Sequence, residues 1–397
     1  MHDVIVVGAG PAGLQAARLL SERGFDAVVI EEHEAVGRPV HCTGILARDA
    51  FDEFDLPSDT ILNPLSAATF VSPGGRDFIY RPDRVEAVVV DRAAFDARLA
   101  ESARRAGAQI RCSTRVLDVR CGADFVSIDT SAGSALRARV CVLACGARYT
   151  LHRQLGLERP ALFLHTVQTE LPARRTGDVE IHFGAEIAPK GFGWAVPVSR
   201  GGGSCVRVGV MCARDGLRYF NRMLGRISAH WGVSVEPTPA PRRKILPLSA
   251  VARTYGDRLV AVGDAAGLVK STTGGGIYYS LLSATLAAEV LSDALSRKDL
   301  GARSLAEYER RWREHLDAEL TAQLSLRVLA QRMSDQDIES LFELTLTDGI
   351  MPIIRRTATF HTHRKLILAL LNYQPARQIL LRSMVSQTAA TSSGCAR

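Results

Sequence analysis

The opening thirty residues constrain this chain more than anything that follows them. Residues 3–7 (Asp-Val-Ile-Val-Val) form a short apolar run that reads as a buried parallel strand. Gly8-Ala9-Gly10-Pro11-Ala12-Gly13 follows at once, and residues 11–23 carry helical spacing, with Leu14, Ala17 and Leu20 on one side. Residues 26–31 (Asp-Ala-Val-Val-Ile-Glu) give a second strand, so a complete β-α-β unit is expected. Each glycine of the hexapeptide has a physical reason: Gly8 permits the tight turn, Gly10 admits a pyrophosphate to the backbone, and Gly13 allows helix and strand to pack closely. Ala12 is the remaining small residue of that approach. The helix start then offers unpaired N–H groups and a partial positive charge to phosphate. Glu31 ends the second strand eighteen residues after Gly13, where a carboxylate accepts hydrogen bonds from adenosine ribose hydroxyls. An acid there, with no arginine beside it, disfavours a 2′-phosphate. FAD and NAD both remain open at this point.

A downstream segment separates them. Residues 258–263 return to the buried-strand pattern, Gly263-Asp264-Ala265-Ala266-Gly267 follows, and Gly274-Gly275-Gly276-Ile277 opens a helix expected over 275–296. Asp264 is placed to bond the ribityl or pyrophosphate region. The N–H groups at Gly275, Gly276 and Ile277 are placed to face the flavin N1–C2=O edge, where negative charge gathers on reduction. Two such motifs in this order, over 250 residues apart, indicate FAD.

The rest of the chain fits a discontinuous nucleotide-binding domain. A helix is expected from Arg92 to Ala106 with Asp91 as its N-cap, and strands over 108–112 and 139–144. Between 160 and 250, short β-like runs at 163–170, 178–183, 192–198 and 205–211 alternate with Gly and Pro, which suits an antiparallel sheet. From 304 onward the pattern is helical, with breaks near Gly349–Pro352 and Pro375. The fold class expected is α/β: a Rossmann-like FAD-binding domain over 1–158 and 251–300, an inserted antiparallel β-rich substrate domain over 159–250, and a C-terminal helical region over 301–387. Residues 388–397 read as a disordered tail. Eight cysteines without CxxC pairs argue for free thiols and no metal site. No apolar run approaches the roughly twenty residues of a membrane span. Met1-His2-Asp3 leads directly into a strand without a basic leader, so a cytoplasmic location is expected.

Charge is unevenly placed. The chain has 49 Lys+Arg against 42 Asp+Glu, and its last acid is Asp348. Residues 1–348 therefore balance, and the whole excess of +7 lies in the last forty-nine residues. The stretch Arg364-Lys365-Leu366-Ile367-Leu368-Ala369-Leu370-Leu371 pairs bases with an apolar run too short to span a bilayer. Its expected use is peripheral contact with an anionic membrane, with core packing of the apolar run as the rival reading. No nucleic-acid partner is expected.

With these residues in hand, the chain resembles the geranylgeranyl reductase family, within the wider p-hydroxybenzoate-hydroxylase-like flavoprotein group. Its most specific element is Gly37-Arg38-Pro39-Val40-His41-Cys42-Thr43-Gly44-Ile45, similar to the family loop that lays a cysteine near the flavin face. The resemblance implies FAD contacts from Cys42, Thr43 and Gly44, from Arg92, and from the Val116 backbone beside the adenine. The family's Tyr-x-Trp-x-Phe-Pro-Lys strand appears as Phe192-Gly193-Trp194-Ala195-Val196-Pro197-Val198, which matches at Trp194 and Pro197 and departs at the tyrosine, phenylalanine and lysine. Phe192, Trp194 and Pro197 are thereby implied to line an isoprenoid pocket, with Cys42 and Trp194 as catalytic candidates.

The implied reaction saturates isoprenoid C=C bonds of a prenylated lipid, quinone or prenyl diphosphate by hydride transfer from reduced flavin. An isolated alkene is a poor electrophile, so a proton donor and a dry pocket matter; Cys42 is the donor candidate, and a small buried apolar role is its rival. No second glycine-rich nucleotide fold is visible, so NADPH docking transiently or a ferredoxin-like donor protein is expected to bring electrons. A flavin monooxygenase or halogenase on the same fold is the alternative enzyme. The halogenase strand's first tryptophan is missing, however, and the first lysine in the chain is Lys190. A non-enzymatic flavin redox module is the alternative of a different class.

Overall fold

The computed structural model describes residues 1–133, 135–234, 240–347 and 349–382. The tail 388–397 lies outside the described residues. The chain forms two compact units. One comprises Met1–Thr60, Val90–Phe163 and Pro247–Leu320; the other comprises Ile61–Val89, Leu164–Leu246 and the residues from Thr321 onward. Residues 61–89 thus join the second unit rather than the nucleotide-binding one, and 301–320 join the first.

The first unit holds β1 (His2–Val7), α1 (Pro11–Glu22), β2 (Ala27–Ile30), β3 (Ile45–Ala47), α2 (Ala50–Glu53), α3 (Arg92–Arg105), β8 (Gln109–Arg111), β9 (Val116–Cys121), β10 (Val126–Thr130) and β11 (Leu136–Leu143). It continues through β17 (Tyr255–Gly256), β18 (Leu259–Ala261), α5 (Ile277–Arg297) and α6 (Ala302–Ala330) as far as Leu320. Its sheet runs β17-β18-β11-β1-β2-β8. β18, β11, β1, β2 and β8 are parallel, as a strand–helix–strand sequence demands, and β17 is antiparallel to β18. Val4 to Val7, Val28, Val29, Val140 and Val142 are buried, which is why these strands read as continuous apolar runs rather than alternating ones. Asp91 caps α3 as expected: its carboxylate accepts from the Ala93 and Ala94 N–H groups at 3.1 and 3.3 Å. α6 is pinned to this sheet by two buried aromatics. Tyr308 donates to the Ala261 carbonyl at 2.8 Å, and the Trp312 indole donates to Thr254 Oγ1 at 2.9 Å.

The second unit holds β4 (Ile61–Leu65), β5 (Ala68–Val71), β6 (Asp77–Tyr80), β7 (Ala87–Val90), β12 (Phe163–Pro172), β13 (Val179–His182), β14 (Phe192–Arg200), β15 (Gly203–Cys212), α4 (Gly216–Trp231) and β16 (Arg242–Pro247). The helices α7 (Asp335–Leu346), α8 (Met351–Thr357) and α9 (Arg364–Asn372) complete it. Its sheet runs β16-β12-β15-β14-β13-β5-β6, and from β12 to β6 it is antiparallel except where β13 meets β5. One face packs on α4, whose Tyr219, Phe220, Met223, Leu224, Ile227 and Trp231 are buried against Ala195, Val206, Val208 and Val210. α4 was not expected from the strand-rich pattern around it. Pro352 stands in the first turn of α8, where its missing N–H costs nothing, so it begins a helix rather than breaking one. No described helix is long and apolar enough to cross a membrane.

Candidate active site

The β1–α1 turn is shaped by contacts that only glycine permits. Gly8 has φ +106 and donates to the Ile30 carbonyl at 2.8 Å; a Cβ there would lie 2.5 Å from the Ala144 oxygen. At Gly13 a Cβ would lie 2.0 Å from the Gly8 oxygen. Gly10 is the opposite case: nothing lies within 4 Å of its Cβ position, so the backbone is open there to a ligand. α1 begins after Gly10 without a side-chain cap, with Pro11 in its first turn, and leaves the Ala12 and Gly13 N–H groups for an anion. Glu31 is buried beside this turn. It accepts from the Ala9 N–H at 2.8 Å and the His33 N–H at 3.0 Å, and its other contact is the His33 ring at 2.5 Å. These bonds fix the carboxylate where β2 ends, and His33 is a partner that motif reading missed. Thr114 donates to the Glu31 carbonyl at 2.8 Å, which draws the chain leading to Val116, the first residue of β9, alongside it.

The second glycine segment folds as a short 3-10 turn, Gly263–Ala266, and a loop before α5. Asp264 Oδ1 lies 2.8 Å from where a Gly276 side chain would begin, so only glycine lets the carboxylate approach the start of α5. Gly276 N-caps α5 and supplies no side-chain hydrogen bond of its own to the first turn. Tyr149 donates to the Asp264 carbonyl at 2.6 Å, and His152 Nε2 lies 2.7 Å from the Ala265 carbonyl. Burial pushes the Tyr149 phenol up and His152 down, keeping both neutral supports of the turn. The loop closes on itself through Lys270 N–H to Gly275 O (3.0 Å) and Gly274 N–H to Lys270 O (2.8 Å). Lys270 is only 4% exposed, and burial lowers it to about 8 against the opposing pull of Glu319 and Asp49.

In the Cys42 loop, one backbone donor and a nearby cation meet the sulfur. The Gly44 N–H donates to Cys42 Sγ at 3.3 Å, and the Arg92 guanidinium is near enough for the same side chain to act on its charge. Arg92 also holds Asp96 through Nη2 at 2.8 Å. Burial pulls Arg92 down, but Asp96 and Cys42 outweigh it, so the guanidinium stays charged above its ordinary range. Arg92 was expected against the cofactor; within the protein its hydrogen bonds go to Asp96. The loop enters over Gly37 (φ +80), where a Cβ would lie 2.9 Å from the Ala93 oxygen at the start of α3. Thr43 lies between the sulfur and its Gly44 donor.

The substrate-pocket candidates lie in the second unit, and the strand sorts them. Phe192 and Trp194, two apart on β14, share a face with ring centroids 6.0 Å apart. Pro197 falls on the opposite face, in register with Val206, where Ala195 and Val208 meet α4. The three were expected together; the period of two separates Pro197 from the others. Trp194 pairs with Gly209, where a Cβ would lie 2.3 Å from the indole ring, so the missing side chain makes room for the indole. The Trp194 indole N–H is buried and has no hydrogen-bond partner among the described residues. Phe183 continues the aromatic face at 6.3 Å from Phe192, and Phe70, Phe78 and Phe342 extend it at ring separations of 5.0 to 6.5 Å. Those four phenylalanines carry no motif and were invisible as a group before folding.

The first unit's residues fit FAD. Two helix starts lack side-chain caps, Gly10 leaves an open approach, and a fixed carboxylate ends β2. Comparison with known proteins agrees. Residues 2–170 match the family model described as pyridine nucleotide-disulphide oxidoreductase. A digeranylgeranylglycerophospholipid reductase of Methanothrix thermoacetophila is 30% identical over 370 residues, covering 88% of this chain and 92% of that protein. One from Methanocaldococcus jannaschii is 28% identical over 365 residues, covering 86% and 90%. Among solved structures, a geranylgeranyl bacteriochlorophyll reductase-like protein from Thermoplasma acidophilum superposes with a TM-score of 0.82 at 22% identity, over 96% of this chain and 99% of that one. A flavin-dependent brominase shares the fold at a TM-score of 0.69 and 15% identity, over 98% and 99%. The chain is an FAD-dependent oxidoreductase and belongs to the geranylgeranyl reductase family, with the digeranylgeranylglycerophospholipid reductases as its relatives.

Proposed function

We propose that this chain saturates isolated C=C bonds in the isoprenoid chains of a membrane-borne prenyl lipid. The observation that carries the reading is the Cys42 sulfur, held by the Gly44 N–H with the Arg92 charge nearby, in the unit that also holds both glycine motifs. Reduced FAD, when bound, supplies the hydride equivalent. The protein's own part is to hold the cofactor and manage the proton. The glycine turn and the start of α1 bind the pyrophosphate, Glu31 takes the ribose, and Val116 backs the adenine. Asp264 and the start of α5 at Gly275, Gly276 and Ile277 take the ribityl and the ring edge. Cys42 Sγ holds the proton that the second alkene carbon requires, and the Gly44 N–H fixes where that sulfur points. Phe192 and Trp194 offer an apolar wall to an isoprenoid chain, with the unpartnered indole N–H as its one polar group. Pro197 supports that strand from its other face. Electrons come from NADPH docking transiently or from a ferredoxin-like protein. The basic C-terminal region meets an anionic membrane as a peripheral contact; in α9, Ile367 is buried while Leu368 remains 44% exposed.

The test is anaerobic incubation of dithionite-reduced enzyme with geranylgeranyl lipids and menaquinone, followed by mass spectrometry. The expected product gains hydrogen in multiples of two. A prenyl substrate left unchanged overturns the reading, and an oxygen-dependent mass gain moves the enzyme to the monooxygenases.

A further inference from the structure

Folding brings the start of α4 and the strand β16 together in the second unit around an open groove of about 800 Å³. Arg214, Arg218, Arg243 and Lys244 line it, all exposed, and Asp215 is the one acid among its lining residues. Among the described residues, Arg214, Arg218 and Arg243 form no ion pair with a carboxylate. Some exposed arginines elsewhere on the chain are matched: Arg310 pairs with Glu307, and Arg313 pairs with both Glu309 and Asp317. α4 adds to the local field. It carries Arg218, Arg222 and Arg226 and no acid, and its first turn starts from Asp215 without a side-chain cap.

Two aliphatic side chains stand inside this ring of bases. Leu217 is 39% exposed and Ile245 is 40% exposed. A lone exposed leucine means little, but two apolar tips set among exposed bases form the pattern of an interfacial anchor. We propose that this groove docks the protein on an anionic phospholipid bilayer, with the four bases on headgroup phosphates and Leu217 and Ile245 entering the acyl boundary. The site is separate from the C-terminal contact and does not depend on which lipid is reduced. A nucleic-acid backbone would also attract the bases. It has no use for two aliphatic tips, though, and the His165 imidazole is the one aromatic ring among the lining residues on which bases could stack. β16 is an edge strand, and charges on an edge deter pairing with other chains. That role would account for Arg243 and Lys244 and leaves Arg214, Arg218 and Leu217 without a purpose.

Co-sedimentation of the full-length FAD-bound protein with vesicles tests the proposal, using equal parts phosphatidylglycerol and phosphatidylcholine against phosphatidylcholine alone. Each base near an anionic surface contributes roughly fivefold, so R243Q/K244Q is expected to bind the anionic vesicles about 25-fold more weakly. L217S/I245S should also weaken binding, and R364Q/K365Q should leave groove binding in place. Unchanged FAD content and circular dichroism confirm that the variants are folded. Wild-type affinity in R243Q/K244Q overturns the proposal. If R364Q/K365Q alone abolishes binding, the groove is refuted and the C-terminal contact stands. Binding to a single-stranded oligonucleotide that R243Q/K244Q loses, with vesicle binding untouched, also overturns it.

Discussion

Lys270 offers a measurement that separates a buried charge from everything else in the flavin loop. Its side chain is 4% exposed, and burial lowers its proton affinity from 10.5 to about 8, with Glu319 and Asp49 pulling the other way. The unfolded chain keeps this proton until about pH 10.5, whereas the folded chain releases it near pH 8. Between those values unfolding takes up a proton, so raising the pH favours the folded state. The gain approaches about 1.4 kcal/mol per pH unit and totals about 3 kcal/mol across the window. Lys270→Met removes the titration and also removes a partner of Glu319, which shifts the variant's stability by a constant over this range. The informative quantity is therefore the slope. Denaturant unfolding of both proteins with saturating FAD, from pH 7 to 10, should show wild type gaining on Lys270→Met above pH 8 and tracking it below. Tyr278, pushed up by burial and Glu53, titrates in both proteins and cancels. Parallel curves across the range would refute the buried-ammonium account.

Three further outcomes follow from single contacts. Gly13→Ala places a methyl 2.0 Å from the Gly8 oxygen, so the protein should purify without flavin; a normal ratio of 450 nm to 280 nm absorbance would count against the turn geometry. Cys42→Ala should keep its FAD while losing about 100-fold in turnover, the ordinary worth of a positioned proton donor; full turnover would return Cys42 to a packing role. Gly209→Ala drives a methyl to 2.3 Å from the Trp194 ring. It should cost about 1–3 kcal/mol and change the tryptophan emission, and a variant with wild-type emission would mean the indole lies elsewhere.

The nucleotide-binding half was legible because its chemistry is local. The Gly8–Gly13 turn, Glu31 and the Asp91 cap each act within a few residues of their own strand or helix, so spacing alone predicted them. What escaped was set by pairings across distant strands. α4 was hidden among strands although Tyr219, Phe220, Met223, Leu224, Ile227 and Trp231 follow a helical period. Pro197 was grouped with Trp194 by motif, where the strand period alone would have put it on the other face. Tyr149 and His152, which brace the second glycine turn from more than a hundred residues away, carry no motif at all. The hold of the Gly44 N–H on Cys42 was likewise unforeseen, although both residues were named separately.

Charge shows the same limit most clearly. Counted along the chain, residues 1–348 are neutral, 42 bases against 42 acids, and the excess lies beyond them. A folded surface does not follow that count, because neutrality over hundreds of residues permits any local imbalance. The acids of α6 are consumed by arginines one turn away, as in Glu307 with Arg310 and Arg311. α4 has no acid to spend on its three arginines, and β16 reaches its mouth from some twenty-five residues further along the chain. Only the pairing of β16 to β12, and the antiparallel pairing of β12 to the β15 strand that leads into α4, puts 243–245 beside 214–218. Salt should therefore weaken any anionic contact of this neutral stretch on its own, independently of the basic C-terminal residues.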